Sequence, residues 1–387
     1  MVASASGKLA AAAAAASVPS GKPGAGGASS RKAAAPPFPS HEWVIQNHGD
    51  IMSCVLMLVI VGLMFQLTSA ISFIFVAPQY NETVTVRSER GDELHQFYRT
   101  GTRDVLTVSF YVVVWIVVHA VIQEYVLDKL QRKFHLSKTK MSKFSESGQL
   151  LAFSAYAAAH AFYVLTNDVI RVWSELPNIW VGYPEAHRWL SLNAKLFFLL
   201  QAAYWIHQFP EFYFARVKRD EWRARTTYSL LFLGFTVAAY VTNFTRVALA
   251  LLLLEYAQLV VFHAARIAHF MERRHAARQL FKVWNVGFVA VRLASTVLAI
   301  ITFWYGLRQN EAPFVDVEAG NFNTNTVRLN ALISVIVLQV YQLWNFVLFH
   351  MSRFRESSKR RQTREQSAAA VQQAKKAAAA KKEKKHE

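Results

Sequence analysis

Two charged side chains and one amide stand inside apolar runs of the chain, where they are the strongest candidates for chemistry. Glu255 and Gln258 are one helical turn apart in the run 247–265, and Arg292 interrupts the run 283–307. Each charge lies about nine residues after the start of its run. Because the two runs cross the membrane in opposite directions, both charges reach a similar depth in a core of about 30 Å. An unpaired charge at that depth is costly. We therefore predict a buried ion pair between Glu255 and Arg292, with Gln258 completing the network.

This polar network has two alternative roles: a purely structural pair, or part of the wall of a polar cavity on a substrate route. The histidines that fall in apolar runs are scattered, and no spacing within one run supplies the ligands of a metal site. No signature of a nucleophile with its base, a phosphate-binding loop or a cysteine pair occurs. The sequence therefore predicts no catalytic residues, no metal and no cofactor. Lys195, near the start of the run 192–213, is expected to extend its ammonium back to the membrane surface.

Short motifs predict one modification and one sorting signal. Asn81-Glu82-Thr83 is an acceptor sequence for N-glycosylation in the first loop that follows an apolar run. Asn243-Phe244-Thr245 also matches, but it falls in a tight turn at the membrane surface, which the glycosylation machinery does not reach. Lys384 and Lys385 resemble the dilysine retrieval signal of endoplasmic reticulum membrane proteins.

The elements that must position these residues are apolar runs, each of about the length that a spanning helix needs, roughly 20 residues. The runs are 51–77, 104–122, 149–170, 192–213, 228–243, 247–265, 283–307 and 329–350. Only three residues, 244–246, separate the fifth run from the sixth, so six to eight spans are compatible with the pattern. The sequence predicts an all-α, polytopic membrane protein with about eight transmembrane helices.

Basic residues are distributed unequally between the two sides of these runs. Of the 43 Lys and Arg, only nine, all arginine, lie in the loops 78–103, 171–191, 244–246 and 308–328. By the positive-inside rule, these loops face the lumen and both termini face the cytosol. Much of the net charge of +18 therefore lies beside the bilayer, where it attracts anionic lipid headgroups. We expect membrane lipids, and no DNA, as partners of these charges.

The segments outside the spans divide the chain further. Residues 1–37, rich in Ala, Gly, Ser and Pro, are predicted to be a disordered cytosolic tail. Residues 38–141 hold the first two spans, the lumenal loop with Asn81 and a cytosolic linker, and residues 356–387 form a basic cytosolic tail. In the linker, 123–134 can continue the second helix. Its apolar stripe predicts either a segment lying in the membrane interface or an incidental pattern in a solvated loop.

Several continuous segments resemble the translocating chain-associated membrane protein family. The longest are Ser40-His41-Glu42-Trp43-Val44-Ile45-Gln46-Asn47-His48-Gly49-Asp50-Ile51 and 119–129. Shorter matches occur at 62–65, 136–140, 142–144, 146–150, 209–211 and 320–323. The resemblance runs from about 40 to 355 and implies a TLC-type helical core at 142–355, which is shared with ceramide synthases.

The resemblance implies an accessory of the Sec translocon in the endoplasmic reticulum membrane. Such a protein contacts signal sequences and nascent membrane segments during co-translational translocation and insertion, and its basic cytosolic segments suit contact with the ribosome. The alternative is a lipid-binding or sphingolipid-modifying protein that uses a polar intramembrane cavity. Ceramide synthases carry paired histidines and a histidine–aspartate cluster. This chain has Thr226-Thr227-Tyr228 and Glu255-Tyr256…Leu259 at the corresponding places, so the resemblance implies that the chain is not an enzyme.

Overall fold

The computed structural model describes residues 37–88, 91–167 and 175–383, and within them the fold is helical apart from one β-hairpin. The helices are α1 (His41–Gly62), α2 (Gln66–Val76), α3 (Asp104–Val121), α4 (Asp128–Lys133), α5 (Lys138–Asn167), α6 (Leu192–Phe214), α7 (Arg219–Val241), α8 (Thr245–Phe270), α9 (Arg274–Ala299) and α10 (Asn325–Glu383). Strands β1 (Asn81–Ser88) and β2 (Gly91–Tyr98) pair antiparallel. A π-helical stretch, Ile122–Leu127, joins α3 to α4, and another, Ile300–Gly306, extends α9. The predicted N-terminal tail, apart from its last residue, lies outside the described residues, as do Lys384 and Lys385.

Seven of the eight predicted runs each fall in a different long helix, and the first, 51–77, is divided between α1 and α2. In the described part of the chain, five helices are long and apolar enough to cross a membrane: His41–Gly62, Asp104–Lys133, Thr245–Phe270, Arg274–Asn310 and Asn325–Gln372. The remaining long helices, α5, α6 and α7, are of similar length but more polar. For example, α6 buries Lys195, Gln201 and His207. The prediction of an all-α polytopic membrane protein is confirmed.

The first apolar run differs from its prediction as a single span. It forms two helices, because the chain bends at residues 63–65 and brings Ser72 of α2 back against the end of α1. A Cβ added at Gly62 would lie 2.3 Å from the hydroxyl oxygen of Ser72, so a side chain at this position would force the Ser72 hydroxyl to move. The hydroxyl of Thr68 donates to the Gly62 carbonyl oxygen at 2.7 Å and satisfies an acceptor that the helix end leaves free.

The turn between α7 and α8 separates the fifth and sixth predicted runs into two helices. Asn243 occupies this turn with a φ of 56°, the left-handed region that asparagine tolerates better than most residues. Its buried side-chain amide donates to the Gly320 carbonyl oxygen at 2.9 Å. The turn is therefore tied to the loop before α10.

The loops around the hairpin form one end of the bundle, here called the hairpin end. Arg246, at the start of α8, donates to the carbonyl oxygens of Asn178, Val181 and Ala186 at 2.7–3.2 Å. In the same loop region, burial lowers the pKa of His187 to about 3, with a further contribution from Arg246. His187 is therefore neutral at physiological pH, and the region is held by hydrogen bonds from side chains to backbone carbonyls.

Lys195 does not extend to the membrane surface as expected. Its side chain is fully buried, and its ammonium lies 2.7 Å from Asp104 Oδ1 at the start of α3. The ammonium also donates to the carbonyl oxygens of Gln79 and Arg99, each at 2.7 Å. The expectation was wrong because the segments that flank the hairpin fold over the start of α6. They supply an anion and two carbonyl oxygens in place of the water molecules that would otherwise hydrate the ammonium.

The opposite end of the bundle, here called the basic end, carries the connections α4–α5, α6–α7 and α8–α9. Helix α3 continues through the π-helical stretch into α4, as the sequence indicates. Its apolar stripe packs against the rest of the bundle. Leu127 is buried against Phe144 of α5 and Phe270 of α8. The stripe therefore fixes the linker to the bundle.

The buried pair at the hairpin end gives a testable prediction. Replacing Lys195 by Met leaves the Asp104 carboxylate buried without its cation, which costs about 3–5 kcal/mol in comparable buried pairs. We expect K195M and D104N each to lower the Tm of the detergent-solubilised protein by several degrees. The double variant should recover part of the loss.

Lys140 and Glu272 provide the matched control, because their ion pair is 37% and 73% exposed. An exposed pair contributes roughly 0–1 kcal/mol, so K140M should change Tm little. Equal Tm values for K195M, K140M and the parent chain would contradict the structural role of Lys195.

Candidate functional site

A cavity of about 840 Å³ opens among the long helices in the half of the bundle toward the basic end. Its wall contains side chains from α1, α3 and each of the helices α5 to α10. Apolar and aromatic side chains form most of this wall. It also contains charged residues, among them Lys143 near the start of α5 and Glu255 within α8. A mostly apolar cavity with a few polar groups is the common form of a small-molecule site.

The deepest polar group of the cavity is the predicted network around Arg292. Arg292 is buried and donates from its two terminal nitrogens to Glu255 of α8 and to Gln342 of α10. The structure thus brings Glu255 and Arg292 together. Gln258 lines the same cavity, but Gln342 makes the second contact with the guanidinium, because α10 packs beside α9 at this depth. Sequence reasoning missed Gln342, which is an amide inside the last apolar run.

A second polar group joins α3 to α6. His119 Nε2 lies 3.2 Å from Glu211 Oε1, and His119 Nδ1 lies 3.4 Å from His207 Nε2. Both histidines are among those that the sequence places in different runs, so only tertiary packing brings them together. Glu211 follows Pro210 inside α6. A carboxylate at the end of an apolar run was the signal that could have marked this position.

The third polar group lies nearest the basic end and links α5, α7 and α8. Arg225 Nη2 is 2.9 Å from Glu221 Oε2 and 3.3 Å from Glu146 Oε2. Arg266, which is 98% buried, approaches the same Glu146 oxygen at 3.8 Å. These four residues place two cations and two anions at one side of the cavity.

No group of three or more His, Cys, Asp or Glu in residues 37–88, 91–167 and 175–383 is arranged to hold a metal ion. The His119–His207–Glu211 contacts therefore stand as hydrogen-bonding and electrostatic contacts. His119 lies between the Glu211 carboxylate and the His207 imidazole, and His119 and Glu211 line the cavity.

The two glycosylation sequences have different surroundings. Asn81 is the first residue of β1 and is exposed, as is Thr83. Asn243 and Thr245 are buried, and the Asn243 amide is engaged by Gly320. An oligosaccharide could be attached at Asn81 without disturbing any buried group, whereas attachment at Asn243 would require the turn to open.

Comparison with known proteins places the chain in a family. The family model described as TLC domain matches residues 143–348, which include most of the cavity wall. Translocating chain-associated membrane protein 2 of Mus musculus is 40% identical over 84% of this chain and 85% of its own length. The protein of the same name from Homo sapiens is 38% identical over the same shares. The chain belongs to the translocating chain-associated membrane protein family.

A more distant relative has an enzyme-like name. Sphingosine N-acyltransferase-like protein ALT7 of Alternaria alternata is 24% identical over 52% of this chain and 45% of its own length. At 227 and 256, two positions that the sequence resemblance singles out, the side chains of this chain make hydrogen bonds within the fold. Thr227 donates to the Arg223 carbonyl oxygen at 2.8 Å, and the Tyr256 hydroxyl donates to Gln201 Oε1 at 2.6 Å.

The ion pair at the bottom of the cavity can be tested by exchanging its charges. E255R and R292E each place like charges together in a buried site, so each should lower the free energy of unfolding by about 3–5 kcal/mol. The double variant E255R/R292E restores opposite charges and should recover most of the Tm measured in detergent.

The matched control is the same exchange at Arg361 and Glu365, an ion pair on α10 with 83% and 63% exposed side chains. Each single change there should alter stability by less than about 1 kcal/mol. If the double variant at 255 and 292 were no more stable than its single variants, the pair would not contribute through its charges.

Proposed function

We propose that this chain is an accessory of the Sec translocon in the endoplasmic reticulum. In this role it contacts signal sequences and nascent membrane segments during co-translational translocation and insertion. The observation that carries the proposal is the identity of about 40% to translocating chain-associated membrane protein 2, over most of both chains. Identity of this extent over a whole polytopic core favours a shared role more than a shared fold alone does.

The apolar surface of the first two helices supports this role. None of the residues of α1 is buried, although its sequence is apolar enough to span a membrane. Around the bend into α2, Met64 is 81% exposed and Leu67 is 94% exposed. A peripheral surface of this kind faces lipid and is able to receive an apolar segment of a nascent chain.

The proposed orientation places both termini and the basic end in the cytosol, because lysine is missing from the loops predicted to be lumenal. Helix α10 continues from Arg353 to Glu383, a length of about 45 Å at 1.5 Å per residue. Its exposed basic residues include Arg353, Lys359 and Arg361. We propose that this helix contributes to contact with the polyanionic RNA of the ribosome, and that Lys384 and Lys385 act as a retrieval signal.

A second candidate function is lipid binding or sphingolipid modification, which the cavity and the distant acyltransferase-like relative favour. The residues at 226–228 and 255–259 weigh against acyl transfer, because they lack the histidines and aspartates that ceramide synthases use. We therefore propose that the chain does not catalyse acyl transfer.

Site-specific crosslinking tests the translocon role. In reconstituted membranes, a photoreactive probe in the apolar part of a short signal sequence should form an adduct with this protein. Replacing Met64 and Leu67 by Asn should reduce the adduct several-fold, because an apolar segment loses its contact surface. The matched control is the same change at Leu293 and Val297, which are exposed apolar residues of α9.

Two outcomes would contradict the proposal. One is the absence of an adduct at every probe position. The other is turnover of acyl-CoA and a sphingoid base by the purified protein, which would favour the second candidate. If only the α9 variant formed less adduct, the proposed function would stand, and the contact surface would be assigned to α9.

Glycosylation tests the orientation of the hairpin. We propose that Asn81 carries an N-linked glycan, because it is exposed in a loop assigned to the lumen. Protein made in the presence of microsomes should therefore migrate faster after endoglycosidase treatment, and N81Q should abolish this shift. N243Q is the matched control and should leave the shift intact, because Asn243 is buried. A protein that never shifts, together with protease protection of its C-terminal tail, would invert the orientation.

A further inference from the structure

The cavity wall contains buried hydrogen-bonding atoms of both kinds that have no partner in the part of the chain the structure describes. The donors are Nε1 of Trp284 and Nε and Nη2 of Arg266, and the acceptors include Oε2 of Glu211. Nη2 of Arg266 is in ion-pair contact with Glu146 Oε2 at 3.8 Å but makes no hydrogen bond to it. All three residues line the cavity, and each is more than nine-tenths buried. A buried polar atom without a hydrogen-bond partner destabilises the folded protein. An occupant that both accepts from Arg266 and donates to Glu211 would remove this destabilisation.

The charges of the wall are nearly balanced, which restricts the charge of the occupant. The acidic residues are Glu146, Glu211, Asp220, Glu221 and Glu255, and the basic residues are Lys143, Arg225 and Arg266, with Arg292 paired behind Glu255. A strongly anionic molecule such as an acyl-CoA would meet several carboxylates. A molecule with a single cation would leave the Arg266 donors without an acceptor. The balance favours an occupant that carries one charge of each sign.

An aromatic wall runs between this charged region and Glu255. Arg266 and Glu255 are eleven residues apart on α8, which corresponds to about 16 Å along the helix. Phe262 lies between them, with its ring 5.0 Å from that of Trp284, and Phe288 stacks on Phe346 with centroids 4.7 Å apart. This surface suits an alkyl chain that extends from a polar head toward the bilayer centre.

From these features we propose that the cavity binds a glycerophospholipid whose headgroup carries both a phosphate and a primary ammonium. Arg266 and Trp284 donate to the phosphate oxygens, and Glu211 accepts from the ammonium. The acyl chain lies along Phe262 and Phe288. A primary ammonium is required because the free Glu211 oxygen needs an N–H donor, which a trimethylated ammonium lacks. This proposal rests on the lipid-binding part of the second candidate function and specifies the lipid. It is independent of the translocon role, because it concerns the interior rather than the outer surface of α1 and α2.

The size of the cavity is consistent with one lipid molecule held by its head. A volume of about 840 Å³ lies in the range of about 300–1,000 Å³ that is typical of sites for single small molecules. It accommodates the headgroup and part of a chain. The remainder of the lipid would leave between the helices toward the bilayer.

Thermal unfolding of the full-length protein in detergent tests the proposal with three lysophospholipids of equal chain length. Lysophosphatidylethanolamine should raise Tm most, lysophosphatidylcholine less, and lysophosphatidylglycerol least. Soluble phosphoethanolamine should raise Tm only weakly, because it lacks the chain. R266Q and E211Q should each weaken the apparent affinity for lysophosphatidylethanolamine at least tenfold. R361Q and E365Q, at an exposed pair, are the matched controls and should bind as the parent chain does.

Equal stabilisation by the three lysophospholipids, or unchanged affinity in R266Q and E211Q, would overturn the proposal. If those variants fail to fold, lipid retention by the parent protein tests the proposal instead. After reconstitution in nanodiscs of equal parts phosphatidylethanolamine, phosphatidylcholine and phosphatidylglycerol, extraction and mass spectrometry should show the first lipid enriched in the tightly retained fraction. No enrichment would reject the lipid site. Stabilisation by a basic signal peptide, but by no lysophospholipid, would assign the cavity to the nascent chain instead.

Discussion

The arrangement of the helices depends on the cost of burying charge among apolar side chains. An isolated ion in that environment is strongly destabilising, whereas a paired and hydrogen-bonded ion is tolerated. Arg292 meets this requirement by binding Glu255 and Gln342, which holds α8, α9 and α10 at one relative rotation. Lys195 meets it by binding Asp104, which holds α6 against α3. The two pairs lie in different halves of the bundle, so each half has its own polar contact that sets the helix faces.

The same constraint explains where the polar helices lie. Helices α5, α6 and α7 are less apolar than the other long helices. Their polar side chains are largely turned toward one another, toward α8 and toward the cavity, as with Gln201 of α6 and Tyr256 of α8. In contrast, α1 has no buried residues and leaves its apolar surface at the periphery. The fold therefore separates an interior with buried polar side chains from an apolar outer surface.

The chain is similar over 52% of its length to a protein with an acyltransferase-like name, but similarity over a core does not carry chemistry by itself. Activity depends on specific side chains, and the positions around Tyr228 and Tyr256 here contribute packing and hydrogen bonds. In the part of the chain that the structure describes, the core encloses a large cavity whose wall contains buried donors and acceptors without hydrogen-bond partners. These atoms are the basis for the binding role proposed above.

The sequence by itself determined the all-α membrane class, the positions of the long helices and the family. These follow from local properties: the length of apolar runs, and continuous segments such as 40–51 and 119–129. It also indicated Glu255 and Arg292 as partners, because depth in a bilayer is counted along each helix separately. Only the tertiary structure decided that Gln342 joins them, that His119 meets Glu211, that Lys195 turns inward and that α1 ends at a bend. Those outcomes depend on the rotation of one helix against another and on the loops that cover helix ends, which no local pattern encodes.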